Sequence, residues 1–393
     1  MHVEADVRGA VEDRREVLER IRAVLDRVEF AGAVETAESG GAAESGGIAG
    51  IAAAAAAGSG TAAGAGARAS APPMSASVSD DVLRRPAAME AVHTAQRALR
   101  SGASAARSRA ELGSVLDLLA GFGPPAFGPT GPQDHLRRSV SRALRSAAPR
   151  RGRDGTPVTA RVVAWDADQR QVLVSAVALL TDVWPELVGE LAETVTEVAL
   201  LDGDALDRFT DFTVHGAVLV HRNRLTTGAS GLPGPVRCAE ALVHEGAHSR
   251  YDAAAVARPF LLPEPAGGGG GGGGGGTPGR TDPGALLVTT PLRADPRPLS
   301  GLVRRTVALA RCVLLYRRIA ALGTPGTPGA PGTLEAAAVA AREARLTASA
   351  RQAVDTLTAH SGALTDAGRA LLDECAAVSR EREEERKQEQ ERP

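Results

Sequence analysis

The sequence predicts a mainly α-helical protein, with a small β element just before a central helix at about residues 235–258. Apolar residues recur at helical spacing through much of the chain, which predicts helices that each bury one face. One run, Phe209 to Arg222, is β-branched and alternating, as in a strand. Several Gly-, Ala- and Pro-rich inserts interrupt these patterns and are expected to be disordered.

The remaining elements are predicted from the same periodicities. Residues 158–164 are predicted as a strand or as the start of a helix, and a Pro-rich loop is expected at 282–298. Trp184-Pro185 interrupts one of the helical stretches. The helical patterns cover residues 80–120, 136–144, 170–200, 299–322 and 333–376.

These elements divide the chain into segments. Residues 1–30 are predicted as an N-terminal amphipathic helix, and residues 31–78 as a linker of Ala, Gly and Ser. Residues 79–322 are expected to form the main domain, which carries a glycine-run insert at 266–280. The rest is predicted as a linker at 323–332, C-terminal helices at 333–379 and a charged tail at 380–393.

Composition argues against several classes of protein. The 393 residues are 43% hydrophobic but only 3% aromatic, so Leu, Val and Ala must supply the core. With 45 basic and 47 acidic residues the net charge is −2, which predicts neither nucleic acid nor a membrane as partner. Residues 1–30 lack the apolar stretch of a signal peptide, and a cytoplasmic location is expected. Cys238, Cys312 and Cys375 form no CxxC pair, so neither a disulfide framework nor a thiolate zinc site is expected.

The central helix contains an HExxH motif, His244-Glu245-Gly246-Ala247-His248. Four residues make slightly more than one helical turn, so both imidazoles project from one face and can bind one metal ion. Glu245 is the predicted catalytic residue, as a base that activates metal-bound water or as an orienting carboxylate. The alternative is two surface histidines and an exposed carboxylate. Gly246 indicates the close approach of another group, or only the glycine-rich composition of the chain.

Two histidines do not complete a metal site, because catalytic zinc or iron takes at least one further protein ligand. Tyr251 and Ala254 stand where a metzincin motif has Gly and His. The helix at 299–322 has no His, Asp or Glu, so it lacks the carboxylate of the thermolysin pattern. The candidates for a third ligand are Asp252, Glu264, Asp295, His215 and His221.

Two arginines of the Pro-rich loop form a candidate anion site. Arg293 and Arg297 flank Asp295, which is consistent with a salt-bridged turn. Arginine forks also bind carboxylates bidentately, so the pair is equally consistent with a clamp for a carboxylate ligand.

Two segments carry a resemblance to a known family. The first is Ala239-Glu240-Ala241-Leu242-Val243-His244-Glu245-Gly246-Ala247-His248, and the second is Pro291-Leu292-Arg293-Ala294-Asp295-Pro296-Arg297-Pro298-Leu299-Ser300-Gly301-Leu302. Through them the span from about Gly216 to Arg318 resembles the HExxH-motif domain proteins of bacterial peptide natural-product clusters. That family is also called the 2-oxoglutarate-dependent HExxH-type peptide β-hydroxylases.

The resemblance implies iron(II) held by His244, His248 and a downstream histidine, with 2-oxoglutarate as cosubstrate. It also implies oxygen insertion at a side-chain β-carbon of a precursor peptide, with a radical-chemistry maturation enzyme as a second candidate partner. Arg293 or Arg297 would suit the distal carboxylate of 2-oxoglutarate. Residues 303–309 contain no histidine, so the family's downstream ligand is missing from that segment.

The leading expectation is therefore an iron(II)- and 2-oxoglutarate-dependent peptide hydroxylase. Two alternatives stay open. One is a zinc-dependent metallopeptidase, which needs a third ligand that closes a tetrahedral site. The other is a catalytically degenerate relative that only binds a peptide or a partner enzyme.

Overall fold

The structure is a computed structural model, and it describes residues 1–41, 73–146, 156–263, 287–290, 293–322 and 333–390. The predicted insert at 266–280, the linker at 323–332 and most of the linker at 31–78 lie outside the described residues. The described chain is mainly helical with a small mixed sheet, which confirms the predicted fold class.

Helices make up most of the described chain. In chain order they are α1 (Val7–Gly41), α2 (Met74–Ser77), α3 (Asp80–Leu83), α4 (Pro86–Arg100), α5 (Ala105–Ala120), α6 (Asp134–Ser146), α7 (Ala167–Val183), α8 (Pro185–Thr194), α9 (Gly234–Ala257), α10 (Leu299–Leu322), α11 (Thr333–Thr358) and α12 (Asp366–Gln390). Short 3₁₀ turns cover Phe212–Val214, Arg222–Leu225 and Ser361–Ala363.

Five short strands form the mixed sheet: β1 (Pro129–Thr130), β2 (Arg161–Val163), β3 (Glu197–Asp202), β4 (Arg208–Phe209) and β5 (Ala217–His221). Their order is β1-β3-β5-β4, and β2 pairs with the other end of β3. The central strands β3 and β5 are parallel and almost fully buried, as their continuous apolar sequences lead one to expect. At the edge, β4 is antiparallel to β5, with Arg208 opposite Val220. A separate hairpin pairs β6 (Leu287–Thr290) with β7 (Arg293–Pro298).

The chain divides into two compact units. One consists of Met1–Val17, Arg84–Ala87 and the chain from Pro125 onward, and it contains both sheets and α6 to α12. The other consists of Leu18–Leu83 and Ala88–Pro124, and its buried residues include aliphatic side chains such as Leu25, Leu83 and Leu116.

The core of the larger unit is built around α9 and α10, which pack against each other. α9 carries many small residues, so neighbouring elements approach its backbone closely. At Gly246 an added Cβ would lie 2.2 Å from Cδ2 of Leu191 on α8. Helix packing therefore explains Gly246, and the close neighbour is a side chain, not the backbone or ligand that the sequence suggests.

Several predicted elements have different bounds in the structure. The predicted helical stretch at 170–200 ends in a strand, because Glu197–Asp202 forms β3. The predicted strand at 209–222 is interrupted by the 3₁₀ turn at Phe212–Val214 and by Gly216, whose φ of 95° belongs to the left-handed region. The sequence of a short apolar run does not by itself distinguish a strand from a helix. In these two segments, pairing within the sheet determines the structure.

Two further predictions concerned the C-terminal half. The helical stretch predicted at 333–376 forms two helices, α11 and α12, separated by the 3₁₀ turn at Ser361–Ala363. The predicted Pro-rich loop contains the paired strands β6 and β7. By contrast, α9 and α10 agree closely with the predicted helices at 235–258 and 299–322. Within the described part of the chain, no helix has both the length and the apolar character needed to cross a bilayer.

Candidate metal centre

The HExxH residues lie in the middle of α9, in the interior of the larger unit. Pro235 occupies the first turn of this helix, and Gly234 allows the helix start to pack against the backbone oxygen of Leu225. His244 and Glu245 are buried, and the side chain of His248 is 16% exposed. The ligand atoms of the three side chains all lie within 4.8 Å of one another. The alternative interpretation of two surface histidines and an exposed carboxylate is therefore wrong.

His248 has the arrangement of a histidine that is oriented for metal binding. Its Nδ1 lies 3.4 Å from Oε2 of Glu245, which assigns the ring proton to Nδ1. Its Nε2 is buried and has no hydrogen-bond partner. A carboxylate on one ring nitrogen and a free lone pair on the other is the usual arrangement around metal-bound histidine.

Glu245 is held by three neighbours. It accepts a hydrogen bond from Oγ1 of Thr210 at 2.6 Å, and its Oε1 lies 3.3 Å from Nε of Arg208. Burial alone would raise the pKa of Glu245, but His248, Arg208 and Thr210 outweigh it and keep the pKa below its ordinary value. The carboxylate is therefore ionised and fixed in position, as an orienting group requires.

The segment that carries Arg208 and Thr210 is itself fixed by Asp211. This carboxylate accepts hydrogen bonds from Oγ of Ser139 at 2.7 Å, from Oγ1 of Thr213 at 2.6 Å and from Nη2 of Arg142 at 3.0 Å. Burial opposes ionisation of Asp211, but these bonds keep its pKa below the ordinary value. α6 is thus tied to the strand that faces α9.

His244 has a different environment from His248. Its Nδ1 lies 3.4 Å from Nη2 of Arg208 and 4.0 Å from Sγ of Cys312 on α10. Its Nε2 lies 3.9 Å from Oε1 of Glu245. Burial, followed by the positive charge of Arg208, lowers the pKa of His244 well below its ordinary value. His244 is therefore neutral, which metal binding requires.

A second arginine and a second carboxylate lie near the centre. Nη2 of Arg304 on α10 lies 3.0 Å from Oδ2 of Asp252 and 3.5 Å from the backbone oxygen of Thr210. Burial lowers the pKa of His248, and the charge of Arg304 adds to that effect, while Glu245 opposes it. Two guanidinium groups, of Arg208 and Arg304, therefore lie at the centre, and each is paired with a carboxylate.

One turn before His244, a buried carboxylate connects α9 to two other helices. Glu240 accepts hydrogen bonds from the hydroxyl of Tyr316 at 2.8 Å and from Nε and Nη2 of Arg342 at 2.8 and 2.5 Å. Nη1 of Arg224 lies 3.7 Å from the same carboxylate. These contacts fix the rotation of α9 relative to α10 and α11.

The other predicted site residues do not all join this group. Arg293, Asp295 and Arg297 lie on β7, where the structure describes only the backbone, and Glu264 lies outside the described residues. His215, His221 and Asp252 are buried, but none of them belongs to the cluster of His244, Glu245 and His248. Among the described side chains, this cluster is the one group of three or more His, Cys, Asp or Glu residues placed to hold a metal.

Sequence reasoning missed Arg208, Thr210 and Cys312. Arg208 and Thr210 lie in or next to the segment that was predicted to be a strand just before the motif helix, which was the available signal. Cys312 was considered only for CxxC pairing, although it lies on the predicted helix that packs against α9. No sequence spacing relates these residues to His244, because tertiary packing brings them together.

Comparison with known proteins identifies no relative, since no model of a protein family matches the chain and a search of the curated proteins finds no match.

The donor set suits a divalent transition metal. Two neutral imidazoles and one ionised carboxylate are the donor types that bind iron(II), zinc and similar ions. The buried Nε2 of His248 without a hydrogen-bond partner is the most direct sign that a ligand belongs at this position. His244 fits less well, because its Nδ1 faces the donors of Arg208 and Cys312 instead of an acceptor.

Asp252 makes the stability of the protein depend on pH in a way that can be measured. Burial raises its pKa from 3.8 to about 6; Arg304 opposes this rise, and the like charges of Asp211 and Glu245 add to it. A folded-state pKa above the unfolded value means that the stabilisation is complete below pH 3.8 and is lost as pH rises through about 6. The shift corresponds to about 3 kcal/mol.

The measurement is urea unfolding of the wild type and of Asp252→Asn between pH 4 and pH 7. We expect the stability of the wild type relative to Asp252→Asn to fall over this range. Asp134→Asn, which removes an exposed carboxylate on α6 that pairs with Arg137, serves as the control and should leave the slope unchanged. Parallel curves for the wild type and Asp252→Asn would contradict the prediction.

Proposed function

We propose that the protein binds a divalent transition metal, iron(II) in the leading case, at His244 and His248, with Glu245 as the orienting carboxylate, together with an anionic cosubstrate. The observation that carries this proposal is the oriented His248, with Nδ1 on Glu245 and a buried Nε2 that lacks a hydrogen-bond partner. Two histidines supply two of the three protein ligands that non-haem iron(II) oxygenases use.

The arginines around the centre support an anionic cosubstrate. Arg208, Arg305 and Arg304 all act on His244 as positive charges, and Arg208 and Arg304 pair with Glu245 and Asp252. A dicarboxylate such as 2-oxoglutarate is a suitable partner for a guanidinium that a bound metal separates from Glu245. The arginines beside the centre therefore agree with the 2-oxoglutarate dependence that the family resemblance implies.

The chain's own residues bind and orient in this proposal. His248 and His244 would hold the metal, Glu245 and Thr210 keep the ring of His248 in place, and Arg208 offers a fork to a carboxylate. When bound, iron(II) and 2-oxoglutarate supply oxidation by O₂, in which one oxygen atom enters succinate as CO₂ leaves and the other enters a C–H bond of the peptide. The precursor peptide, and a radical-chemistry enzyme acting on it, are the partners that this reaction suggests.

The geometry favours this reaction over the zinc peptidase. A peptidase needs Glu245 directed at a metal-bound water, whereas this carboxylate already contacts Thr210, Arg208 and His248. The degenerate, metal-free binding protein has one specific observation in its favour. The guanidinium of Arg208 lies within 3.4 Å of both Glu245 and His244 and already balances the charge there.

Metal content and cosubstrate binding test the proposal. The purified protein, loaded anaerobically with iron(II), is expected to bind about one iron per chain and to develop a charge-transfer band on addition of 2-oxoglutarate. His248→Ala should weaken iron binding by at least about a hundredfold, because it removes the oriented ligand. His360→Ala is the matched control, since His360 bonds the backbone oxygen of Thr356 and lies outside the cluster. Equal iron content in the wild type and His248→Ala would overturn the proposal.

A zinc-only site gives a different result. Tight zinc binding without a 2-oxoglutarate-dependent band, together with peptide cleavage that Glu245→Gln abolishes, would establish the peptidase. Absence of metal from the wild type, with binding of a peptide that survives His244→Ala, would establish the metal-free binding protein.

A further inference from the structure

Arg208 lies against two groups of the candidate metal centre. Its Nε lies 3.3 Å from Oε1 of Glu245, and its Nη2 lies 3.4 Å from Nδ1 of His244. One guanidinium thus contacts two of the three groups in the cluster. A metal that approaches Glu245 and His244 has to compete with a tethered cation.

The third nitrogen of Arg208 provides an alternative position for the charge. Nη1 lies 3.4 Å from Oδ2 of Asp207, which is 53% exposed. Arg208 itself is 22% exposed and lies on the two-residue edge strand β4. The side chain can therefore leave Glu245 and His244 while it keeps its contact with Asp207, a carboxylate that Arg224 also binds. In that position the fork stays next to the centre and is available to a carboxylate ligand.

Arg304 is a second guanidinium beside the centre. Its Nη2 pairs with Asp252 and lies 3.5 Å from the backbone oxygen of Thr210, so it is held in place. A dication that displaces Arg208 from Glu245 would therefore bind next to a guanidinium that has lost its carboxylate, while Arg304 stays paired with Asp252. A ligand with a carboxylate group would pair with Arg208 in that position.

We propose that Arg208 couples metal binding to the binding of a carboxylate ligand, so that the centre takes up metal weakly alone and tightly together with a 2-oxo acid. This inference rests on the proposed function for the identity of the site. It makes Arg208 a specificity-determining residue with two opposing effects. Arg208 competes with metal at His244 in the absence of the anion, and it binds the anion when metal is present. The two effects are reciprocal by linkage, since each ligand must raise the affinity of the other by the same factor.

Cobalt(II) affinity, measured by its visible absorption with and without saturating 2-oxoglutarate, tests the inference without turnover. In the wild type we expect 2-oxoglutarate to tighten cobalt(II) binding by at least about tenfold. In Arg208→Gln we expect cobalt(II) alone to bind about tenfold more tightly than in the wild type, because the competing charge is gone. The effect of 2-oxoglutarate should fall below about threefold in the same variant.

Two further variants separate charge from geometry and from general effects. Arg208→Lys keeps the charge but loses the fork, so cobalt(II) alone should bind as in the wild type while the coupling to 2-oxoglutarate falls. Arg161→Gln removes another arginine of the same sheet, which pairs with Asp202, and should change neither quantity. The unfolding transition of Arg208→Gln shows whether this variant folds. If it does not fold, Arg208→Lys alone is the test. Unchanged coupling between cobalt(II) and 2-oxoglutarate binding in Arg208→Lys then overturns the inference.

The outcomes separate this inference from the proposed function. Metal binding by the wild type with no gain in Arg208→Gln overturns the inference and leaves the metal centre in place. Metal binding by Arg208→Gln but not by the wild type, with or without 2-oxoglutarate, supports competition by Arg208 and overturns the proposed function. Absence of binding in both proteins overturns both.

Discussion

Replacement of Glu190 by Ala is expected to lower the free energy of unfolding by about 3–5 kcal/mol, because it leaves the buried charge of Arg311 without its carboxylate. Glu190 on α8 is 1% exposed and pairs with Arg311 on α10, whose side chain is fully buried. It also accepts a hydrogen bond from the backbone N–H of Asp6, and Nε of Arg250 lies 3.7 Å from it. One carboxylate thus compensates charges on two helices.

Urea unfolding of Glu190→Ala tests this prediction, and Glu193→Ala is the matched control. Glu193 lies one turn later on the same helix and also pairs with an arginine, Arg14, but both partners are about a quarter exposed. Its loss is expected to cost less than about 1 kcal/mol. A double variant, Glu190→Met with Arg311→Met, should recover part of the stability, because it removes both charges of the buried pair. Equal effects of Glu190→Ala and Glu193→Ala would show that burial does not set the energy of these pairs.

The second large effect is expected at Glu240, which connects α9 to α10 and α11. Glu240→Ala removes the acceptor for Tyr316 and Arg342 and takes a nearby charge away from Arg224, so we expect a loss of about 3–5 kcal/mol. Glu240→Gln keeps the shape and an acceptor oxygen and should lose less than Glu240→Ala.

Glu381→Ala is the matched control for Glu240→Ala. Glu381 accepts a hydrogen bond from Nη1 of Arg317, the residue after Tyr316 on α10, but it is 56% exposed. Its replacement should cost less than about 1 kcal/mol. Both variants would be compared with the wild type by thermal unfolding and by near-ultraviolet circular dichroism, to which Tyr316 contributes. A Glu240→Ala protein as stable as Glu381→Ala would contradict the assigned role.

The fold class and the HExxH cluster were predictable because both rest on local periodicity. His244 and His248 share a helix face through their spacing alone, and the apolar pattern of α9 and α10 predicts their bounds within one or two residues. The pairing of the strands was not predictable in the same way. The short apolar runs that form β3 and β5 have no periodicity that distinguishes a strand from a helix.

The surroundings of the cluster were not predictable, because they depend on contacts between distant segments. Arg208 reaches Glu245 only because β4 pairs with β5 at the sheet edge and Asp211 is held by α6. Cys312 approaches His244 across the α9–α10 interface, 68 positions later in the chain. A sequence shows the charge of each such residue but not the partner that neutralises it.

The close approach of Leu191 to Gly246 has a consequence for the order of events at this centre. The helix backbone between the two histidines packs against α8, so the ligands keep their places whether or not an ion is present. Binding then requires no folding of α9, unlike in the small zinc domains whose folding depends on the ion. Chelators should accordingly remove an ion without unfolding the chain.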